Sequence, residues 1–493
     1  MNRKKIISLC AGGALIAGAA LVLWHKCAST TRIAFVNYQA IALGQISKAN
    51  DNGSFVKISE LPVDELDKAG KFDMVFVNGM GLRITDQQRQ ALIEAAGKST
   101  QVLSTAVTNP QNQINSVDSV DAEFLKQYLA GGRSNYRNLL RYVRKFIDGK
   151  KFFAPTPGDP VVSGTGLLYY PSDGDDLNFG SVAEYEAFLR KKGLWKDDAP
   201  RIILTGQMGV ADSLTAALQR AGNMVYPVGV IQPFIAKGHA DSVGASALIN
   251  MAHGRMGDMV AGWLARNNIV LFSPLNVNRP YDEWMADKTG MNGGFLSQSV
   301  VTPEIDGAIR PLALFAHYDG PDGLPHVAAI PDRLEEFTAT VGNHLSLRRK
   351  ANADKRLAIF YFKGPGQNAL VAEGMEVAPS LFSLLKRLKA EGYRVDNLPA
   401  DAAGLERILG EQGKVFNEFA FGAMADFVSR NRPELIAAAD YDRWCAEAFA
   451  PEMRAEIDAL DGPFPGHGLK DDKGNLALAR VSFGNVVLIP QTA

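Results

Sequence analysis

Short apolar runs alternate along this chain with stretches in which apolar positions recur every three or four residues, the pattern of strands feeding helices in parallel α/β domains. Arg32–Asn37 (RIAFVN), Phe55–Ile58, Asp73–Val77 (DMVFV) and Gln101–Thr105 read as strands. Thr85, with Gln88 three residues on, marks a helix start by a capping box, and Gly97 marks its end. A helical region over Ala122–Ile147 closes this first unit. A second set follows: strand Arg201–Thr205, a helix over Ala211–Ala221 with Leu214, Ala217 and Leu218 on one face, and strands Met224–Val228, Asn268–Phe272 and Ile309–Phe315. A third begins with a strand after Arg356, and its helix carries Leu381, Leu384, Leu385 and Leu388 on the predicted buried face, with Gly392 as the residue that stops it. The predicted fold class is α/β, several Rossmann-like or flavodoxin-like parallel-sheet units behind an amino-terminal membrane helix. The expected divisions are 1–30, 31–150, a Pro/Gly/Asp-rich linker 151–200 with one helix at Val182–Lys191, 201–350 and 351–493.

The start of the chain breaks this alternation. Ile6–Trp24 is a run of 19 residues without charge, preceded by Arg3, Lys4 and Lys5. A helix needs about 20 apolar residues to cross the hydrocarbon of a bilayer. A cleaved signal peptide shares the basic start and apolar middle, but only Cys27, Ala28 and Ser29 follow as small residues. The expectation is therefore an uncleaved, single-pass anchor. Its basic flank keeps the amino terminus inside, so the body lies in the periplasm beside a bacterial inner membrane.

Composition removes several classes of partner. There are 52 Lys and Arg against 53 Asp and Glu, a net charge of −1, so nothing favours nucleic acid. Cys10, Cys27 and Cys445 lie too far apart in sequence for a spaced metal pair or a disulfide framework. The 7 histidines show neither HxH nor HxxxH spacing, which argues against a self-contained zinc site. After Gly79 and Gly81 the third glycine of a dinucleotide fingerprint is replaced by Ile84.

Three segments carry a family resemblance: VTPEIDGAIRPLALF from Val301, RLAIFYFKGPGQNALVAEGMEVAPSLFSLLKRLKAEGYRVDNLP from Arg356, and SFGNVVLIPQ from Ser482. Weaker signals are Tyr169-Tyr170-Pro171 before the Tyr185 helix and the turn at Leu275-Asn276-Val277. Together they resemble the cobaltochelatase large-subunit (CobN-type) and magnesium-chelatase H-subunit family. The resemblance implies a tetrapyrrole ligand, haem or a cobalamin precursor, with Co, Mg or Fe as the metal inserted or removed. It also implies that this chain matches an amino-terminal portion, either split, with the remaining motifs on a second chain, or truncated. Family members that insert metal work with cytoplasmic ATP-hydrolysing partners. A periplasmic body instead points to the membrane-attached haem-utilisation (HmuS-like) branch, which removes iron.

Candidate site residues follow from both lines. Glu304 and Asp306, in Pro303-Glu304-Ile305-Asp306-Gly307, are the catalytic candidates: their carboxylates could exchange pyrrole protons or hold an arriving cation. The competing view is a Glu-x-Asp-Gly turn that only reverses the chain. His317, expected at the carboxyl end of the Ile309–Phe315 strand, and His253, among Met251, Met256 and Met259, are candidate tetrapyrrole ligands. A surface histidine and methionines serving as core filler are the alternatives. Gly364, Gly366 and Gln367 form a turn whose amides could cradle a propionate, or a turn and nothing more. Lys288–Leu296, with three glycines, reads equally as a flap over a ligand or as an idle loop. No nucleophile and no metal-ligand set is assigned. A non-catalytic periplasmic haem- or tetrapyrrole-binding module, or a scaffold completing another chain, remains open beside the chelatase reading.

Overall fold

The computed structural model describes residues 24, 26–161, 168–171, 176–206, 208–363, 370–372, 374–412, 429–430, 434–464, 466, 471 and 473–491. The proposed anchor, apart from Trp24, lies outside these residues, as do Gly364, Gly366 and Gln367. Among the described residues no helix is long and apolar enough to cross a membrane. The chain forms two compact units, Met1–Leu345 and Ser346–Ala493.

The first unit opens with a four-stranded parallel sheet of β1 (Thr31–Val36), β2 (Val56–Glu60), β3 (Met74–Asn78) and β4 (Gln101–Thr105), in the order β2-β1-β3-β4. Ile33, Ala34, Phe35 and Val36 are all fully buried, which is why β1 has no polar alternation: a parallel sheet covered on both faces needs a continuous apolar run. Helix Asp86–Ala96 begins at the predicted capping box, with Gln88 N donating to Thr85 Oγ1 (3.2 Å) and Thr85 N donating to Gln88 Oε1 (2.9 Å). The helical region expected over Ala122–Ile147 is two helices, Ser119–Leu129 and Arg133–Tyr142, the second running into a π-helical turn at Val143–Ile147. Gly131 and Gly132, at φ 108° and 96°, break it, because only glycine enters that conformation without strain.

A seven-stranded sheet follows in the same unit. It contains β5 (Leu168–Tyr170), β6 (Leu177–Phe179), β7 (Arg201–Thr205), β8 (Met224–Val228), β9 (Ala247–Asn250), β10 (Val270–Phe272) and, after β11 (Leu275–Pro280), β12 (Ala308–Ile309). Its order is β12-β10-β9-β7-β8-β5-β6, parallel from β12 to β8 and antiparallel beyond. Residues 151–200, read from composition as a linker, thus supply β5, β6 and helix Val182–Lys191 to this sheet. Tyr185 from that helix is fully buried and donates to Val225 O (2.7 Å).

The strand expected over Ile309–Phe315 is split. Arg310 takes φ 55° ahead of Pro311, so the chain leaves the large sheet after β12 and re-enters as β13 (Ala313–Asp319). There β13 pairs in parallel with β11 and antiparallel with β14 (Pro325–Ala329). Leu275-Asn276-Val277, read as a turn, is the start of β11. Strand β14 packs on helix Ala40–Lys48 of the first lobe. A Cβ on Gly44 would come within 2.8 Å of Pro325 O. His326 Nε2 lies 3.2 Å from Ser47 Oγ and 3.4 Å from Asp322, to which Ser47 also donates.

In the second unit, strands Leu357–Tyr361 and Val486–Pro490 pair in parallel, and Val481–Phe483 adds antiparallel to the latter. Helices Val377–Ala390 and Ala402–Gln412 pack on them through Leu381, Leu385, Leu405 and Leu409. Leu384, expected inside, is exposed, and Leu388 is only partly covered. Gly392, at φ 85°, follows the helix end as predicted.

Candidate functional site

In the large sheet the chain runs from β7 to β8 on one side, then returns to place β9 on the other side of β7. The connections therefore diverge at the carboxyl ends of β7 and β9 and leave a crevice, the place where open α/β sheets bind ligands. A shallow cleft open to solvent lies there. It is lined by Met208 after β7, Met251, Ala252 and His253 after β9, Ser273 after β10 and Asn276 of β11, with Phe295 and Ser299 also at its wall. Its enclosed space is on the order of a single water molecule, so the cleft suits a substituent or the edge of a large ring rather than the whole ring.

The cleft walls are fixed by close backbone approach and by asparagines. Gly206 sits at φ 93°, and a Cβ there would fall 2.4 Å from Ala252 N. At Gly209 a Cβ would meet the Phe315 ring at 2.5 Å and Met251 Sδ at 2.8 Å. Asn250 bridges its own loop, donating to Ala252 O (3.1 Å) and accepting from Ala252 N (3.1 Å). Asn276 Nδ2 donates to Met208 O (2.9 Å), tying β11 to the loop after β7, and Gly254 N donates to Gln298 O (2.7 Å). Such bonds hold a rim that backbone flexibility would otherwise blur.

The candidates from sequence separate on this frame. His253 lines the cleft with an exposed side chain, beside buried Met251. Met256 is also buried, in the core under helix Asp258–Arg266, while Met259 is exposed. Asp306 is buried and engaged: Arg255 Nε donates to it at 2.9 Å, Arg255 Nη2 approaches at 2.8 Å, and the Met256 amide donates to its other oxygen. These bonds fasten the loop after β9 to the end of helix Thr302–Ile305, and they keep the Arg255 guanidinium protonated above its ordinary range. Glu304, two residues earlier, is exposed to solvent. The two carboxylates therefore live in opposite environments.

His317 lies inside β13, paired with Val327 of β14, not in a loop after the strand. The difference follows from the break at Arg310, which starts β13 later than expected. Its side chain shares the face of Phe315 and Val327 by the alternation of the pair. The residue is 8% exposed, and its Nε2 has no hydrogen-bond partner among the described atoms. Burial pushes its pKa below the usual 6.5, so the ring is neutral at pH 7, the form that ligates metals. Phe295, at the end of the glycine-bearing Lys288–Leu296 loop, reaches the cleft wall, where helix Gly293–Leu296 begins. At the start of that loop, Asp287 is held down to about 2 by Thr289 and by Arg279 at 2.8 Å.

Sequence reasoning missed Met208, Asn250, Ser273 and Arg255. The available signal was positional: short residues and asparagines directly after strands of a parallel sheet. Among the described residues, no three His, Cys, Asp or Glu side chains gather as a metal site.

Comparison with known proteins places this geometry. A family model described as CobN/Magnesium Chelatase matches residues 126–493. Magnesium-chelatase subunit ChlH of Oryza sativa subsp. indica is 27% identical over 333 residues, covering 59% of this chain and 23% of its own length. Aerobic cobaltochelatase subunit CobN of Pseudomonas aeruginosa is 30% identical over 142 residues, covering 27% of this chain and 11% of its own length. The catalytic subunit of cobaltochelatase from Mycobacterium tuberculosis superposes with a TM-score of 0.64 and 21% identity over 94% of this chain and 39% of that one, which shows a shared fold. The chain thus spans under a quarter of the length of these two curated relatives. With well over half of its residues matched by that model, the chain belongs to the CobN/magnesium-chelatase family.

Proposed function

We propose that this chain is a tetrapyrrole-binding part of a chelatase large subunit and that the cleft beyond β7, β9 and β10 receives one edge of the macrocycle. The observation that carries this reading is the crevice itself: it opens at the topological switch point of a chain whose family relatives are named as chelatases. His253 at the rim donates to a ring propionate, while Met208 and Met251 contact the apolar edge. Removing a divalent metal breaks its bonds to the pyrrole nitrogens and returns two protons to the ring; insertion runs the same exchange backwards. Asp306 serves as a brace, because both its oxygens already accept hydrogen bonds. Glu304 is the solvent-accessible carboxylate for proton exchange.

Between insertion and removal, the uncharged run Ile6–Trp24 favours removal of iron from haem by a tethered periplasmic body. The test is a spectral titration of the full chain in detergent with haem, protoporphyrin IX and a metal-free cobalamin precursor. A shifted haem Soret band is expected. Loss of a hydrogen bond to a charged propionate removes roughly 1.5–3 kcal/mol, so His253→Ala weakens haem binding about tenfold or more. Unchanged spectra with all three compounds would refute the reading. A non-catalytic binding module is the second reading, favoured by the engagement of Asp306, and it is separated by iron release: the module binds haem and never frees the metal.

A further inference from the structure

A face of the first lobe carries four exposed aromatic side chains: Trp24, Phe146, Phe152 and Phe153, each half or more open to solvent. One fully buried arginine ties the backbone of Phe152 and Phe153 to the segment that follows Trp24. Arg144 Nη1 donates to Ser29 O (2.9 Å), Thr31 Oγ1 (3.0 Å) and Phe55 O (3.0 Å), Nη2 to Phe152 O (2.9 Å), and Nε to Phe153 O (2.7 Å). The amides of Lys151 and Phe152 donate to Cys27 O at 3.1 and 2.9 Å, and those of Ala28 and Ser29 close onto Trp24 O at 2.8 and 2.9 Å. The backbone turn that carries Trp24 is thereby joined to the backbone of Phe152.

Phe153 adopts φ 53°, a left-handed conformation that a bulky residue takes only when its surroundings hold it there. It is held by a stacked contact with Phe55 (4.2 Å between centroids) and by Asn52 Nδ2 donating to its carbonyl at 2.8 Å. The rings are therefore presented outward on a rigid base. Lys26 and Lys151 are exposed beside them, and Lys145 Nζ lies 5.7 Å from the Phe146 centroid. Of the carboxylates nearby, Asp148 is turned inward to Thr31 Oγ1 (2.6 Å) and Lys150 (3.4 Å), and Asp51, next to Asn52, is paired with Arg141, so the lysines set the sign of the patch.

We propose that this face lies on a lipid surface bearing anionic headgroups. Aromatic rings with lysines among them are the chemistry of the membrane interface, where an apolar body meets a wet, negatively charged boundary. A bilayer rather than a protein is the occupant because the apolar run Ile6–Trp24 ends at this patch, so a segment of bilayer-spanning length delivers the face to the headgroups. The inference rests on the tether reading given above and adds to it a defined orientation of the body.

The test uses the full chain with Cys10→Ser, Cys27→Ser and Cys445→Ala, reconstituted into vesicles of phosphatidylethanolamine and phosphatidylglycerol. Fluorophores are placed one at a time through Phe146→Cys, Phe152→Cys, Ile93→Cys on the exposed side of helix Asp86–Ala96, and Leu15→Cys within the apolar run. Lipid-borne quencher is expected to quench the 146 and 152 labels severalfold more than the 93 label, with the contrast reduced by Lys26→Glu and Lys151→Glu together. Equal quenching at 146, 152 and 93, with strong quenching at 15, would overturn the face and leave the tether standing. Weak quenching at 15 as well would remove the tether and the face with it.

Discussion

The seven-stranded sheet of the first unit and the three-stranded sheet of the second are built from similar sequences and end in different states. In β7, Ile202, Ile203 and Leu204 are all fully buried, Ile203 in one apolar cluster and Ile202 and Leu204 in another on the opposite face. In strand Leu357–Tyr361, burial alternates: Tyr361 is buried, Leu357 and Ile359 are half-buried, and Ala358 and Phe360 face outward. Phe360 is 71% exposed, and Phe362 after it is also open. A strand that is apolar at every position states that both of its faces avoid water; it does not state what covers them. In the second unit helices Val377–Ala390 and Ala402–Gln412 pack through one cluster, and the phenyl rings of Phe360 and Phe362 stay open. Exposed rings on a parallel strand invite association.

This contrast can be broken at its strongest point first. Phe272 in β10 is fully buried between the sheet and helix Pro331–Arg349, meeting Phe337 edge-on at 6.1 Å. Phe272→Ala is expected to cost about 3–5 kcal/mol in urea unfolding, the range for deleting a core aromatic. A loss near zero would mean that the large sheet is not tightly covered.

A smaller effect tests the polar exception within the covered unit. As pH falls through 6.5, the unfolded chain takes a proton at His317 that the folded chain refuses, so stability declines until the lowered folded pKa is passed. Well above 6.5 the group contributes no slope. His317→Leu should therefore flatten the loss between about pH 7.5 and about pH 5.5, read as the shift in urea midpoint. His326, also lowered chiefly by burial, supplies the slope that remains. An unaltered pH dependence would show that His317 takes up its proton as readily in the folded chain as in the unfolded one.

The smallest expected change is at the bare ring. Phe360→Ser should move stability by no more than about 0.5 kcal/mol and reduce self-association in light scattering. A loss beyond about 2 kcal/mol would show that the ring is covered after all.

Strands with unbroken apolar runs were legible to the residue: Gln101–Thr105, Arg201–Thr205 and Met224–Val228 stand where the pattern puts them, as does helix Val182–Lys191. Central strand β9 was missed because Ala247–Asn250 offers only four residues between turn-like neighbours, and its pairing with β7 and β10, which no local pattern encodes, decides its state. The break at Arg310 was hidden for the opposite reason. Apolar residues on both sides of it join different sheets, and a one-dimensional pattern shows them as one run. The site inherited both errors. Glu304 and Asp306 are neighbours in sequence, yet Arg255 from a distant loop is what makes Asp306 a brace. His317 appeared to follow a strand only because the strand was started too early.

Hairpin β13–β14 touches two distant parts of the first unit. One strand is pressed on the first lobe at Gly44, where there is no room for a methyl group; the other carries Phe315 into the gap left by Gly209, against Met251. The hairpin therefore couples the packing at Gly44 to the packing beside the cleft at Gly209. Both contacts depend on the absence of a side chain, so a larger residue at position 44 would displace the hairpin without itself touching the cleft.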